Sequence, residues 1–344
     1  MFPNAEPIRV KKNHRQIVKP SGTFIPVLKR SPFSNYNLQD MNERGDFIFR
    51  IDNHVAGTNR EYIHVFNGKT EPLPALPRPE EVYSLTPKGN IVKRFVPLRS
   101  GMGGPFSSNW GDPYARAYAD ARFFRTLNDD GSMTIVRFDQ KKTNSIFTFA
   151  RFGVDKDPEV YYTSPNSLTI LDADARGVYW VREASPRNEG VDQLWRFEGK
   201  AHIPFLLPEK YRTVNRVATC QNYVAATFGG PQDIEPTRSF VWQNEKWIEL
   251  PMPEGSTCSF VQKMMKDGSI LGCVTDDSGD NIREVLWRGN TVSVLNELPS
   301  WPKHGQVSYA TNATSSGFIY VRNIADLTTG AGDSYLLNLV LTTN

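Results

Sequence analysis

The stretch REVLWRGNTVSVLNELP (Arg283–Pro299) is an apolar strand, an aromatic residue, a tight turn, a second strand and a closing Leu-Pro. The same phrase occurs three more times, as RSFVWQNEKWIELP (Arg238–Pro251), DQLWRFEGKAHIPFLLP (Asp192–Pro208) and EYIHVFNGKTEPLPALP (Glu61–Pro77). A phrase that returns at intervals of tens of residues is the mark of a repeat architecture. The rest of the chain is therefore read in that frame.

A polar turn followed by an apolar strand aligns seven times, at Gly45, Gly89, Gly131, Gly177, Asn222, Gly268 and Gly317. Successive spacings are 44, 42, 46, 45, 46 and 49 residues, a period of about 45. Glycine is expected at these turns because a tight hairpin needs positive φ, and asparagine is the residue that best replaces it. Each unit contains a strand before the turn, an alternating strand after it and then the quoted hairpin. Pro-rich connectors such as LPALPRPEE and LPSWPKHG separate the units, as suits strand ends that need no ladder N–H.

Four short antiparallel strands per repeat of this length are the signature of a propeller blade. The expected fold is all-β, a seven-bladed β-propeller with four-stranded antiparallel blades. The last unit, Gly317–Asn344, lacks its closing strand, and SGTFIPVLKRSP (Ser21–Pro32) is an orphan strand. Pairing of Thr23–Leu28 with Tyr335–Leu341 is expected to complete the seventh blade and close the ring. Residues 1–20 read as a basic tail and 21–344 as a single propeller domain.

The pattern around SILG and VLWRGN in Lys263–Pro299, and more weakly RSFVWQNEKW, resembles the HAF-type repeats of bacterial extracellular proteins. It is also loosely similar to kelch-like propellers. The WD-repeat signature is absent, since NWGD (Asn109–Asp112) does not carry it. Propellers host binding scaffolds, lectins, lyases and hydrolases alike, so the resemblance implies an architecture and no single activity.

Composition excludes several classes. Lys+Arg 40 against Asp+Glu 37 leaves a formal charge of +3, which gives no nucleic-acid footprint beyond the local basic run Arg9–Lys19. Cys220, Cys258 and Cys273 form no C-x-x-C pair, which argues against a disulfide framework and a structural zinc site. There is no apolar run of transmembrane length. Met1 followed by FPNAEP has no apolar leader, which leaves the compartment open: secreted or periplasmic if a signal peptide was removed, and cytoplasmic otherwise.

Departures from the repeat are the candidate sites. In the second unit the hairpin is replaced by VPLRSGMGGPFSSNWGDPYARAYADARFF (Val96–Phe124). Its Arg99, Trp110, Tyr114, Arg116, Tyr118 and Arg122 combine aromatic faces with guanidinium forks, a chemistry suited to sugar stacking and carboxylate pairing. GMGG is no phosphate loop, because the Gly-Lys-Ser/Thr ending and its helix are missing. Ala184–Gln193 and Gly229–Arg238 are long charged loops at corresponding positions. TDDSGDN (Thr275–Asn281) invites calcium at Asp276, Asp277 and Asp280, but the ligand order of a calcium loop is incomplete, so no cofactor is expected. The histidines, His14, His54, His64, His202 and His304, show no metal or hydrolase spacing. Trp180, Trp195, Trp242 and Trp287 read as inter-blade core.

The functional expectation is a non-catalytic binding or scaffold propeller that recognises a protein partner or an extracellular glycan. The alternative is a glycan-active enzyme, a polysaccharide lyase or glycoside hydrolase, with its site in the axial cleft. There His54 or His304 would pair with a tyrosine as acid and base.

Overall fold

The computed structural model describes residues 21–28, 34–42, 44–53, 60–66, 69–76, 81–85, 89–95, 125–127, 133–140, 145–152, 157–174, 176–185, 190–230, 236–279, 281–298, 301, 307–314, 317–326 and 331–340. They form two compact units, residues 1–74 with 215–344 and residues 75–214. Strands are numbered β1–β26 along the chain.

In the first unit, β2 (Ser34–Met41), β3 (Phe47–Asn53), β4 (Arg60–Phe66) and β5 (Lys69–Leu73) make one four-stranded sheet in chain order. A second is β16 (Thr213–Cys220), β17 (Tyr223–Gly229), β18 (Arg238–Gln243) and β19 (Lys246–Glu249). A third is β20 (Cys258–Met264), β21 (Ile270–Thr275), β22 (Arg283–Arg288) and β23 (Thr291–Val294). The fourth joins β24 (Val307–Ala313), β25 (Phe318–Asp326) and β26 (Ala331–Val340) to β1 (Ser21–Leu28), in the order β1-β26-β25-β24. The β1 register runs antiparallel from Ser21↔Val340 to Leu28↔Ser334, with a shift between Pro26 and Leu28. Proline has no N–H to give to a ladder, so it belongs on an edge strand such as this. Removing residues 1–30 would leave the β26 edge unpaired. The melting temperature is expected to fall by several degrees on that truncation; an unchanged one would contradict a structural role for β1.

In the second unit, β8 (Arg125–Leu127), β9 (Met133–Gln140), β10 (Ser145–Phe152) and β11 (Glu159–Ser164) form one sheet. The strands β12 (Leu168–Ala173), β13 (Val178–Glu183), β14 (Gln193–Glu198) and β15 (Ala201–Phe205) form the next. Among the described residues the remaining sheet has two strands, β6 (Glu81–Leu85) and β7 (Ile91–Phe95).

Local chemistry explains the recurring turn. Gly45, Gly177, Gly268 and Gly317 have φ of 77, 80, 81 and 96°. Each donates its N–H to the carbonyl three residues earlier, on Asn42, Asp174, Met265 and Thr314, at 3.0–3.2 Å. Asn42, Asp174 and Met265 in turn donate to the carbonyl of the residue after the glycine, at 2.8–3.2 Å. This is a type I turn closed by a left-handed residue, the three-residue hairpin that needs glycine. The first strand of each of these hairpins carries one extra residue, at Gln39, Leu171, Gln262 and Thr311. Every one lies six positions before its glycine, so the repeat includes a bulge that bends the strand as well as a turn.

One expectation needs correction. In the β16–β17 hairpin the left-handed residue is Gln221 (φ 55°), not Asn222. Here β16 runs to Cys220 and β17 begins at Tyr223, which leaves two connecting residues. Two residues cannot hold a type I turn plus a bulge, so the sign change falls on the first of them. The outer hairpins are also short: Asn244 and Glu245 (φ 50 and 60°) make a type I′ turn between Gln243 and Lys246, whereas Gly199 and Gly289 lead theirs.

Apolar side chains fill the space between successive sheets. In the first unit Ala218, Val261, Met264, Ile270, Val285 and Trp287 belong to one buried cluster. Beside it a hydroxyl chain ties two sheets together. Thr227 and Ser239 share a hydrogen bond of 3.0 Å, the Ser239 N–H donates to Ser259 Oγ at 2.8 Å, and the Val261 N–H donates to Thr227 Oγ1 at 2.9 Å. Thr227, Ser239 and Ser259 are fully buried, so these bonds satisfy groups that water does not reach. In the second unit Phe149 packs edge-on against Phe197, Tyr161 and Tyr179, with centroids 4.9–5.4 Å apart.

Candidate functional site

In the second unit the strand VYWVRE of β13 is buried at five of its six positions, and the last of these is Glu183. A carboxylate at an apolar position must find donors. Four converge on it. Ser164 Oγ and Asn166 Nδ2 (3.0 Å) donate to Oε1; Tyr162 OH (3.1 Å) and Trp195 Nε1 (2.8 Å) donate to Oε2. Ser164 also accepts the Asn166 N–H at 2.9 Å, which fixes the loop leaving β11. The donors come from β11, the β11–β12 connection and β14, so Glu183 joins two successive sheets.

Burial alone would push the Glu183 carboxyl up. The hydrogen bonds from Ser164, Asn166, Trp195 and Tyr162 outweigh it and hold the group below its ordinary value. Tyr162 is pushed up to about 12, first by burial, then by the Glu183 charge and their hydrogen bond. The pair is thus an ionised acceptor and a neutral donor.

The strand period places Tyr162 two residues before Ser164, on the same face of β11. Trp195 and Phe197 likewise share one face of β14, and Phe197 is paired with His202 of β15. The imidazole lies 5.1 Å from the Phe197 ring, 5.2 Å from Trp195 and 5.3 Å from Tyr162, measured between centroids. Phe197 is buried, Tyr162 and Trp195 are half-buried and His202 is exposed. The result is an aromatic notch that His202 fills and an anion backs.

The residues singled out in the sequence fare differently. Arg99, Trp110, Tyr114, Arg116, Tyr118 and Arg122 lie outside the described residues, as do Asp280, His14, His54 and His304. Asp276 accepts from Ser278 Oγ (2.7 Å) and the Gly279 N–H (3.1 Å), which closes a polar turn. In the Ala184–Gln193 loop, Asp192 accepts the Ser185 N–H (3.2 Å) and the Val214 N–H (3.0 Å). That carboxylate is a loop anchor. Trp180 and Trp287 are buried, whereas Trp195 and Trp242 are only half-buried, so the tryptophan set is not uniformly core. Burial and then Glu284 push the Cys273 thiol up to about 11. Such a thiol is a poor nucleophile at neutral pH. Glu183, Ser164, Asn166 and Tyr162 were not anticipated; the signal was a glutamate closing an apolar strand.

No family model matches the chain, and no curated protein sequence matches it. Among solved structures it is similar to the β-propeller domain of the Trilobed protease from Pyrococcus furiosus, which is described as having an open velcro topology. The TM-score is 0.54 at 9% identity, over 91% of this chain and 99% of that one. It is also similar to an acylaminoacyl peptidase from Pyrococcus horikoshii, with a TM-score of 0.54 at 10% identity. That match covers 90% of this chain but 52% of the peptidase, so this chain spans about half its length. At such identities the likeness is one of fold. Together with the four-stranded antiparallel sheets, it makes this chain a β-propeller.

Proposed function

We propose that this propeller is a non-catalytic binding module for a protein partner, with the notch of Tyr162, Trp195 and His202 as a contact surface. The observation that carries the proposal is the fourfold hydrogen bonding of Glu183. It fixes two of the rings through their polar edges, while both residues stay half-buried beneath the exposed His202. Rigid Trp and Tyr faces are the side chains that dominate protein interfaces, and pre-ordering them lowers the entropy lost on binding.

The same hydrogen bonding weighs against the glycan-active alternative at this place. A general acid or base works best with a pKa near the operating pH. Glu183 is moved the other way, and its lone pairs are engaged.

Thermal melting and product assays on a panel of acidic and neutral polysaccharides test the proposal. The expected outcome is no reproducible rise in melting temperature and no cleavage products. A ligand at 100 times its Kd adds about 2.7 kcal/mol, which a melting curve detects. A rise with one glycan class would replace the protein partner with a glycan, and products would make the chain an enzyme.

A further inference from the structure

We infer that the notch takes the guanidinium of an arginine side chain presented by a protein partner, an inference that rests on the binding reading above. What already lies in the notch shows the shape it accepts. The His202 imidazole is nearly parallel to Phe197, at 27°, and is flanked by Tyr162 at 58° and Trp195 at 76°. A flat, nitrogen-bearing group thus rests on one ring between two others. His202 is exposed on an edge strand, with Nδ1 3.2 Å from the Lys200 carbonyl, so rotating it outward disturbs little of the core.

The charge of the occupant follows from what stands behind the rings. Aromatic faces attract cations through the ring quadrupole. Here the phenol O–H and the indole N–H both donate to the Glu183 carboxylate, which draws electron density toward the ring faces. Each carboxylate oxygen already accepts two hydrogen bonds, so Glu183 supplies negative potential rather than a bidentate ion pair. Arg196 and Glu198 alternate with Trp195 and Phe197 along β14, so they lie on its other face, where they pair with each other at 3.3 Å. Arginine fits better than lysine because guanidinium is planar, weakly hydrated and stacks on rings, whereas ammonium is compact and strongly hydrated.

The test is an NMR titration of the full chain with Nα-acetyl-arginine methylamide, following the Trp195 indole and His202 imidazole signals. The lysine counterpart and the uncharged citrulline isostere serve as controls. The arginine probe is expected to give saturable shifts, with lysine and citrulline at least about fivefold weaker. His202→Ala removes the resident ring and is expected to tighten arginine binding at least about fivefold; Trp195→Leu is expected to weaken it about tenfold. Melting curves of both variants report whether they fold. Equal binding of citrulline and arginine would overturn the inference, as would the absence of saturable shifts in both wild type and His202→Ala. That failure alone leaves the protein-binding reading standing, whereas a glycan response in the polysaccharide panel removes the reading itself.

Discussion

Replacing Gly272 with alanine is expected to destabilise the chain by about 3 kcal/mol or more, the upper range for overpacking a core. A Cβ built there would lie 2.2 Å from the Phe260 carbonyl oxygen and 2.5 Å from Trp287 Cζ3. Flexible side chains relieve such contacts, but Phe260 O is backbone in a strand paired with Gly272's own strand. Trp287 has no room to yield either, because it is fully buried and its Nε1–H donates to the Pro251 carbonyl at 2.7 Å. The demand at this glycine is for space, unlike the φ-driven demand at Gly268. Denaturant unfolding of Gly272→Ala checks it, and a loss under about 1 kcal/mol would show that this sheet has room to yield around Gly272. Adding Trp287→Leu should recover only part of the loss, since the backbone clash remains.

Glu183→Ala is the second large effect, expected to cost about 3 kcal/mol at neutral pH. The substitution leaves four donors around a site that water reaches poorly, and Ser164 among them is only 2% exposed. The pH dependence follows from the direction of the shift. Glu183 is held below its ordinary value of 4.5, so the folded state favours the ionised form. Stability from that preference is complete above the ordinary value and is lost as pH falls through the lower folded one. The gap between wild type and Glu183→Ala should therefore narrow in acid, as measured by denaturant midpoints across pH. A gap that stays constant, or widens, would mean that Glu183 is not an ionised anchor.

The architecture was legible because repetition is a sequence signal. Glycines at a period of about 45 mark turns that need a left-handed residue, and five of them, at 45, 89, 177, 268 and 317, have positive φ. The strands follow from alternation, and the hairpin phrase marks the outer pair of four of the sheets, β4–β5, β14–β15, β18–β19 and β22–β23. The position of a turn within two residues was less legible. Gln221 takes the strained conformation because the hairpin is one residue shorter, and residue type alone points to Asn222.

The site was hidden for a different reason. Tyr162, Asn166, Glu183 and Trp195 sit on three strands and a connection, and come together only where two sheets meet. A lone glutamate at the end of VYWVRE looks like an ordinary strand terminus until Ser164 is placed against it. Clustering along the sequence points to the long loops, whereas the polar cluster around Glu183 is built on β11, β13, β14 and one short connection. The histidine that matters, His202, has no distinctive neighbours along the sequence. Its significance comes from the three rings packed around it.

The central claim is that Glu183 is a charged anchor that orders a binding surface, and not a catalytic acid or base. Following the Trp195 indole N–H proton by NMR through an acid titration of the His202→Ala variant, which removes the imidazole 5.2 Å from the indole, tests it most directly. The signal should stay constant from neutral pH down past 4.5, move only in more acid solution, and shift upfield at all pH values in Glu183→Gln. A signal that titrates above 4.5, toward the working range of a general acid, would contradict the anchor and put catalysis back at this site.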